Sequence, residues 1–146
     1  MEIPAKISPE TEQRVRASFA AQSMMTTLGA RLVALTPGET RIEAPILPGS
    51  RQQHGFGHAG LTFAIGDSAA GYAALSVMAV GHEVLTTEMK IHLLAPARGD
   101  LLIARGRIIK PGRRLVIVQA DIHAVEAGQE IHVALMTGTM IPIAAT

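Results

Sequence analysis

QQHGFGHAGLTFAIGDSAAGYAALSVM, Gln52 to Met78, decides how this chain is read. From Ala59 to Met78 a single residue is charged, Asp67, and every other residue is small or apolar, or is Ser, Thr or Tyr. Such a run predicts a helix buried on nearly all sides. Burying an ionised group costs several kcal/mol (~3 or more) unless it is paired or hydrogen-bonded. A lone carboxylate in the most apolar helix therefore either sits on a chance exposed face or has a task. The run from Ala59 to Val80 is also about the length of a membrane span. Gly60, Gly66, Gly71 and the central Asp67 argue instead for a buried helix of a soluble protein.

Outward from that helix the pattern changes. Ser8 to Thr27 reads as a helix: Ser8 suits the N-cap, Pro9 the first turn, and Glu10 and Glu12 complement the helix dipole. LGARLVALTPGETRIEAPI alternates about the turn Thr36-Pro37-Gly38-Glu39 and reads as a hairpin. After Gly81 come EVLTTEMKIHLLAPA, DLLIARGRIIK, RRLVIVQADIHAVE and EIHVALMTGTMIPI, strands separated by Pro and Gly turns. The order is one helix, two strands, the long buried helix and four strands. The economical arrangement is α+β, an antiparallel sheet wrapped around one helix.

The whole chain narrows the classes. Its 146 residues suit one domain with a real core, 48% are hydrophobic and the formal net charge is +1. Near-neutral charge and 3% aromatic residues give no platform for nucleic acid. No cysteine is present, which excludes disulfides and thiolate chemistry. The six histidines make no metal-ligand set: His54 and His58 are four apart but precede the helix, and His-Glu-x-x-His is absent. No cofactor is implied, since P-loop, Gly-x-Gly-x-x-Gly and Gly-x-Ser-x-Gly signatures are missing. MEIPAKISPETEQRVRASF has no apolar signal-peptide core, so the expected location is cytoplasmic, with no membrane partner.

Several motifs together carry a resemblance: His58-Ala59-Gly60 opening the helix, Asp67 two turns on, Pro96-Ala97-Arg98-Gly99-Asp100, Gly112-Arg113-Arg114 and Thr137-Gly138-Thr139. From about Leu28 to Ile143 the chain resembles the hot-dog fold and, more narrowly, the PaaI-like acyl-CoA thioesterases. The resemblance implies residues 1–27 as an N-terminal helical segment before a hot-dog domain at 28–146. It also implies hydrolysis of acyl-CoA at sites formed between subunits, in a homodimer or homotetramer. The family's His-Gly-Gly has Ala59 at its middle position here, which keeps the backbone N–H.

The resemblance assigns roles residue by residue. Asp67 acts as nucleophile on the thioester carbon or as general base for water. The Ala59 N–H, one of the unpaired donors of a helix N-terminus, is the oxyanion donor. Gln52, or Gln53 beside it, orients the carbonyl or the water. His58 opens the helix and supports the loop geometry of the catalytic site; His54 either does the same or exchanges protons, and is a candidate substrate contact. Thr86 or Thr87 touches the acidic residue, with Thr86 the better fit to the family spacing. Gly60, Arg98, Arg113 and Arg114, with Lys90 and Lys110, are candidates for substrate and its phosphates. Met24, Met25, Phe56, Phe63 and Tyr72 are candidate acyl-pocket or core residues. Two other functions compete: a hot-dog hydratase or dehydratase, whose Asp-x-x-x-x-His signature is missing because Tyr72 stands five residues after Asp67, and a non-catalytic acyl-CoA-binding or regulatory module.

Overall fold

The computed structural model describes residues 2–146. Helices α1 (Pro9–Ala21) and α2 (Ser23–Thr27) precede strands β1 (Arg31–Thr36) and β2 (Glu39–Pro45). A 3₁₀ turn (Pro48–Ser50) and a loop lead to α3 (Ala59–Leu75). Strands β3 (His82–Leu93), β4 (Leu101–Pro111), β5 (Val116–Glu126) and β6 (Gln129–Ala144) complete the chain. They form one antiparallel sheet of six strands in the order β1-β2-β4-β5-β6-β3. The chain leaves β2, crosses the sheet as α3 and returns as β3 on the far edge.

The expected N-terminal helix is two helices, broken at Gln22, whose extended backbone turns its N–H back to the Phe19 carbonyl. The Ser8 hydroxyl accepts the Thr11 N–H at 3.1 Å, as its N-cap reading requires. Val15 of α1 and Met25 of α2 are buried in the same core as α3, so the N-terminal segment packs as part of the domain.

The helix α3 lies against the sheet through small residues. A Cβ on Gly106 of β4 would stand 2.3 Å from the carbonyl carbon and oxygen of Ala69, so only glycine lets the helix backbone come this close. Beside it, the Thr40 hydroxyl donates to the Ala69 carbonyl at 2.6 Å. Ile42, Leu102, Val118, Ile122, Met136 and Met140 fill the remaining space, all fully buried. One stripe of α3 stays uncovered: Gly60 and Phe63 are exposed, Ala64 and Asp67 partly so. These positions recur at helical spacing and define a single face.

Pairing slips interrupt β1, β3, β4 and β6, and the slip in β3 decides which of its side chains meet the helix. The pairing with β6 slips between Thr86 and Glu88, leaving Thr87 as the extra residue of a β-bulge. Val84 and Thr86 face the helix before the bulge, Met89 and Ile91 after it. Unbroken alternation would instead have turned Glu88 and Lys90 inward.

The end of α3 is capped from a distance. Its own last turn has no basic residue. Instead the Arg14 guanidinium of α1 donates to the carbonyls of Leu75, Met78 and Ala79, each at 2.9 Å, and reaches His82 at 3.4 Å. It satisfies terminal carbonyls and complements the negative end of the dipole. Arg14→Met is expected to lower the unfolding free energy by about 2 kcal/mol, the scale of charged hydrogen bonds. Urea denaturation checks this, and an unchanged midpoint would count against the clamp.

Candidate active site

The loop before α3 is fixed on both sides. The Gly57 N–H donates to the Ala97 carbonyl at 2.8 Å and the His58 N–H to the Ser50 carbonyl at 2.9 Å. The Arg51 guanidinium binds the Gly55 and Ile46 carbonyls, each at 2.8 Å, and pairs with Asp100 at 3.3 Å. The Pro96–Asp100 motif thus acts as a buttress for the loop that opens the helix.

His58 is the N-cap of α3. Its Nδ1 accepts the Gly60 N–H at 2.8 Å, while its carbonyl accepts the Leu61 N–H at 3.0 Å. A Cβ on Gly60 would stand 2.9 Å from that ring nitrogen, so the glycine makes room for the cap. The Ala59 N–H has no acceptor among the described residues, and Ala59 is exposed. It opens on a cleft of about 510 Å³ lined by Gln52, Phe56, Leu93, Leu94 and Pro96 among others. Gln52 Oε1 accepts the His54 N–H, which leaves the Gln52 Nε2 amide without a protein partner among the described residues. Gln53 is exposed and does not line the cleft. The His54 ring is exposed at the loop tip. The Arg98 guanidinium stacks 4.9 Å over the Phe56 ring, a cation–π contact at the cleft.

Asp67 stands elsewhere. Eight residues along a helix rise about 12 Å, so Asp67 is two turns from the Ala59 N–H. Its Oδ1 accepts the Thr86 hydroxyl at 2.9 Å, and no other hydrogen bond reaches it among the described residues. Thr87, the bulge residue, turns away and donates to the Thr139 carbonyl at 3.0 Å. Burial pushes the Asp67 pKa up from the ordinary carboxylate range, and the Thr86 hydrogen bond partly offsets this. The carboxylate lines a second cavity of about 180 Å³, between α1, α3 and β3.

Arg113 lines a third cavity with Met78 and His82, at the opposite end of α3 from Ala59. Arg114, Lys90 and Lys110 are exposed. The chain therefore brings together Gln52, Ala59 and Arg98, and separately Asp67 and Thr86. Sequence reasoning missed Ser18, Gln22 and Glu83, which line the cavity beside Asp67. Ordinary polar residues on an amphipathic helix and a strand carry no signal of such a placement. Of the acyl-pocket candidates, Tyr72 lines that cavity and Phe56 the larger cleft, whereas Met25 is core. Among the described residues no group of three or more His, Cys, Asp or Glu could hold a metal ion, and no helix is long and apolar enough to cross a membrane.

A buried helix wrapped by an antiparallel sheet, with a donor at its N-terminus and a carboxylate two turns on, is a hot-dog domain of thioesterase layout. The chain belongs to the thioesterase superfamily, whose family model matches residues 54–131. It is similar to a thioesterase family protein from Silicibacter pomeroyi, at 42% identity over 92% of this chain and 99% of that one, with a TM-score of 0.91. The PaaI protein of the phenylacetic acid degradation operon of E. coli has the same fold, at 23% identity over 96% and 98% of the two chains and a TM-score of 0.83. A thioesterase from Haemophilus influenzae matches at 20% identity over 97% and 96%, with a TM-score of 0.81. No curated protein matches the chain.

Proposed function

We propose that this protein is a cytoplasmic acyl-CoA thioesterase that releases free acid and CoA at sites shared between two subunits. The observation that carries this reading is Asp67: the one charge of the central helix, half-buried, hydrogen-bonded among the described residues by Thr86 alone, and facing a cavity. A desolvated, ionised oxygen of this kind suits attack on a thioester carbon or activation of water.

As general base, Asp67 takes a proton from water while the water oxygen bonds to the thioester carbon. The tetrahedral intermediate then expels CoA thiolate, which receives the proton from Asp67. As nucleophile, Asp67 forms a mixed anhydride as CoA leaves as its thiolate; water then cleaves the anhydride to the free acid and the Asp67 carboxylate, and the remaining proton goes to the thiolate. Both routes need a donor for the oxyanion, and the unpaired Ala59 N–H at the positive end of α3 suits it. Gln52 Nε2 can help orient the carbonyl, and His58 and Gly60 hold the helix opening in shape.

The two groups are about 12 Å apart along the helix, whereas one thioester carbonyl needs donor and attacking oxygen each within about 3–3.5 Å. A second copy resolves this. β3 is a long edge strand with Leu85 and Leu93 exposed, beside the uncovered stripe of α3, so two copies can pair edges and bury that stripe. An antiparallel pairing about a two-fold axis brings the helix N-terminus of one protomer toward Asp67 of the other. It also brings the Arg113 and Arg114 end of one toward the Arg98 end of the other, where His54 lies too. These groups are suited to the CoA phosphates. A tetramer would pair two such dimers.

The test is release of free thiol from a panel of acyl-CoAs, with molar mass from light scattering. Thiol release by a dimer or tetramer is expected. Acyl-CoA binding without thiol release would favour the non-catalytic alternative, and a monodisperse monomer at micromolar concentration would count against the shared site.

Thr86 gives a pH prediction. The reaction needs ionised Asp67, so the rate rises as pH passes its pKa, which burial places above the usual carboxylate range. The Thr86 hydrogen bond lowers that pKa. Thr86→Val is therefore expected to move the acid limb of kcat to higher pH, and Thr86→Ser to leave it near the wild type. An unmoved acid limb in Thr86→Val would separate Asp67 from the titration.

A further inference from the structure

The loop of residues 52–56 carries Gln52, yet hydrogen bonds hold it rather than core packing. None of its residues is buried, and Gly55 at its tip has φ +84°. The Gln52 N–H donates to the Phe56 carbonyl and the Gly55 N–H to the Gln52 carbonyl, each at 2.9 Å. These bonds close the loop on itself, and the His54 N–H orients the Gln52 side chain by donating to its Oε1. The Arg51 guanidinium ties the tip of this closed loop to the body of the fold. Its Nη1 donates to the Gly55 carbonyl and its Nη2 to the Ile46 carbonyl, each at 2.8 Å. Ile46 is 3% exposed, and its own N–H donates to the Asp100 carbonyl at 2.8 Å, so that end of the bridge is anchored in the core. The opening of α3 is held by other bonds, from the Gly57 N–H to Ala97 and from the His58 N–H to Ser50.

We infer that Arg51 is a positioning residue for thioester hydrolysis, one that acts on the reaction through Gln52 by holding the Gln52 amide where Nε2 can orient the carbonyl. The inference rests on the thioesterase reading and adds a residue to its machinery. A guanidinium suits this bridge because its Nη donors sit in a rigid planar fork and meet two carbonyls at once. A lysine ammonium is a point charge on a flexible arm and has no such fork. The ion pair between Arg51 and Asp100 is incidental. The Asp100 side chain is 97% exposed, and a 3.3 Å pair open to water contributes little. The demand on the loop is geometric. A displacement of about 1 Å at a group that orients substrate can lower a rate about 100-fold, and residues 52–56 have no core packing to resist one.

The test measures kcat at saturating acyl-CoA for Arg51→Met, Gln52→Ala and the double variant, each with its melting curve. Arg51→Met and Gln52→Ala are each expected to lower kcat about tenfold or more with the melting transition intact. The double variant is expected to match Gln52→Ala within about twofold, because the two residues act through one amide. Arg51→Lys keeps the charge and loses the fork, so its kcat should fall at least about threefold; it is the variant read if the methionine does not fold. Asp100→Asn should stay within about twofold of the wild type. Losses that multiply in the double variant, an unchanged kcat in either single variant, or an effect confined to the melting temperature would overturn the inference while the thioesterase reading stands. A second readout needs no turnover. Hydrogen exchange followed by NMR is expected to show the His54 and Gly55 amides exchanging about tenfold faster in Arg51→Met, with those of Gly57 and His58 unchanged. If the wild type releases no thiol, the thioesterase reading falls. Unchanged exchange at His54 and Gly55 would then overturn the placement of Gln52 by Arg51 on its own, and faster exchange would uphold it.

Discussion

Asp67→Asn is expected to cut turnover of the best acyl-CoA at least about 100-fold and, at neutral pH, to raise the melting temperature. The amide keeps the size of the side chain and still accepts from Thr86, but it can neither attack a thioester nor take a proton. KM should change little. The stability effect follows from the raised pKa. A carboxyl group whose pKa is higher folded than unfolded contributes stability below its unfolded pKa, and that contribution is lost as pH rises through the folded value. At neutral pH the ionised Asp67 is therefore a burden that asparagine removes. In acid, where Asp67 is protonated, the two melting temperatures should converge. Asp67→Glu should retain partial activity, since the longer arm still carries a carboxylate. A structural carboxylate gives the opposite pattern, a lower melting temperature with turnover spared. Turnover and melting curves measured together on the asparagine variant decide between them.

Ala59→Pro is the sharpest probe of the oxyanion donor, with an expected loss of about 10²–10³ in turnover. The position tolerates the change. Ala59 is the first residue of α3, where proline is favoured and its missing N–H has no helical partner to lose. His58 before it is already extended, at φ −65° and ψ 142°, the conformation that a following proline requires. Ala59→Gly keeps the N–H and should preserve or raise activity. In the proposed shared site donor and carboxylate come from different subunits, so Asp67→Asn and Ala59→Pro should complement each other. An equal mixture that exchanges subunits gives about half heterodimers, each with one intact site of two, or about a quarter of wild-type activity. A folded, fully active Ala59→Pro protein would remove this N–H from the mechanism, and a mixture that stays inactive after exchange would remove the shared site.

Much of the candidate site's geometry was legible because its signals are local. His58-Ala59-Gly60 reads as a helix opening, and the structure has His58 as its cap, with Gly60 making room. Asp67 stands out by charge alone. The choice of Thr86 over Thr87 needed the resemblance, since alternation says only that one of the pair faces the helix; the side chain that touches Asp67 is Thr86. Gln52 rather than Gln53 lines the cleft because the turn closed by the Gly55 and Gln52 backbone bonds directs it there. Ser18, Gln22 and Glu83 were not legible, because nothing in a polar residue of an ordinary helix or strand says which cavity it will wall.

The sequence by itself determined the elements. Helical and strand periods, capping residues, and Pro and Gly turns act over a few residues, so one buried helix, a hairpin and a four-strand run can be read without a structure. The tertiary structure decided where they go. It sets β3 on the far edge beside β6, because the helix must cross the whole sheet to be covered. It places the bulge at Thr87, because the helix and the pairing with β6 together require Met89 and Ile91, not Glu88 and Lys90, to face inward. It brings Arg14 to the end of α3, where carbonyls need donors that the helix does not supply itself. Each of these is set by packing between segments far apart in the chain, where volume and unsatisfied polar groups select the arrangement and local propensity does not.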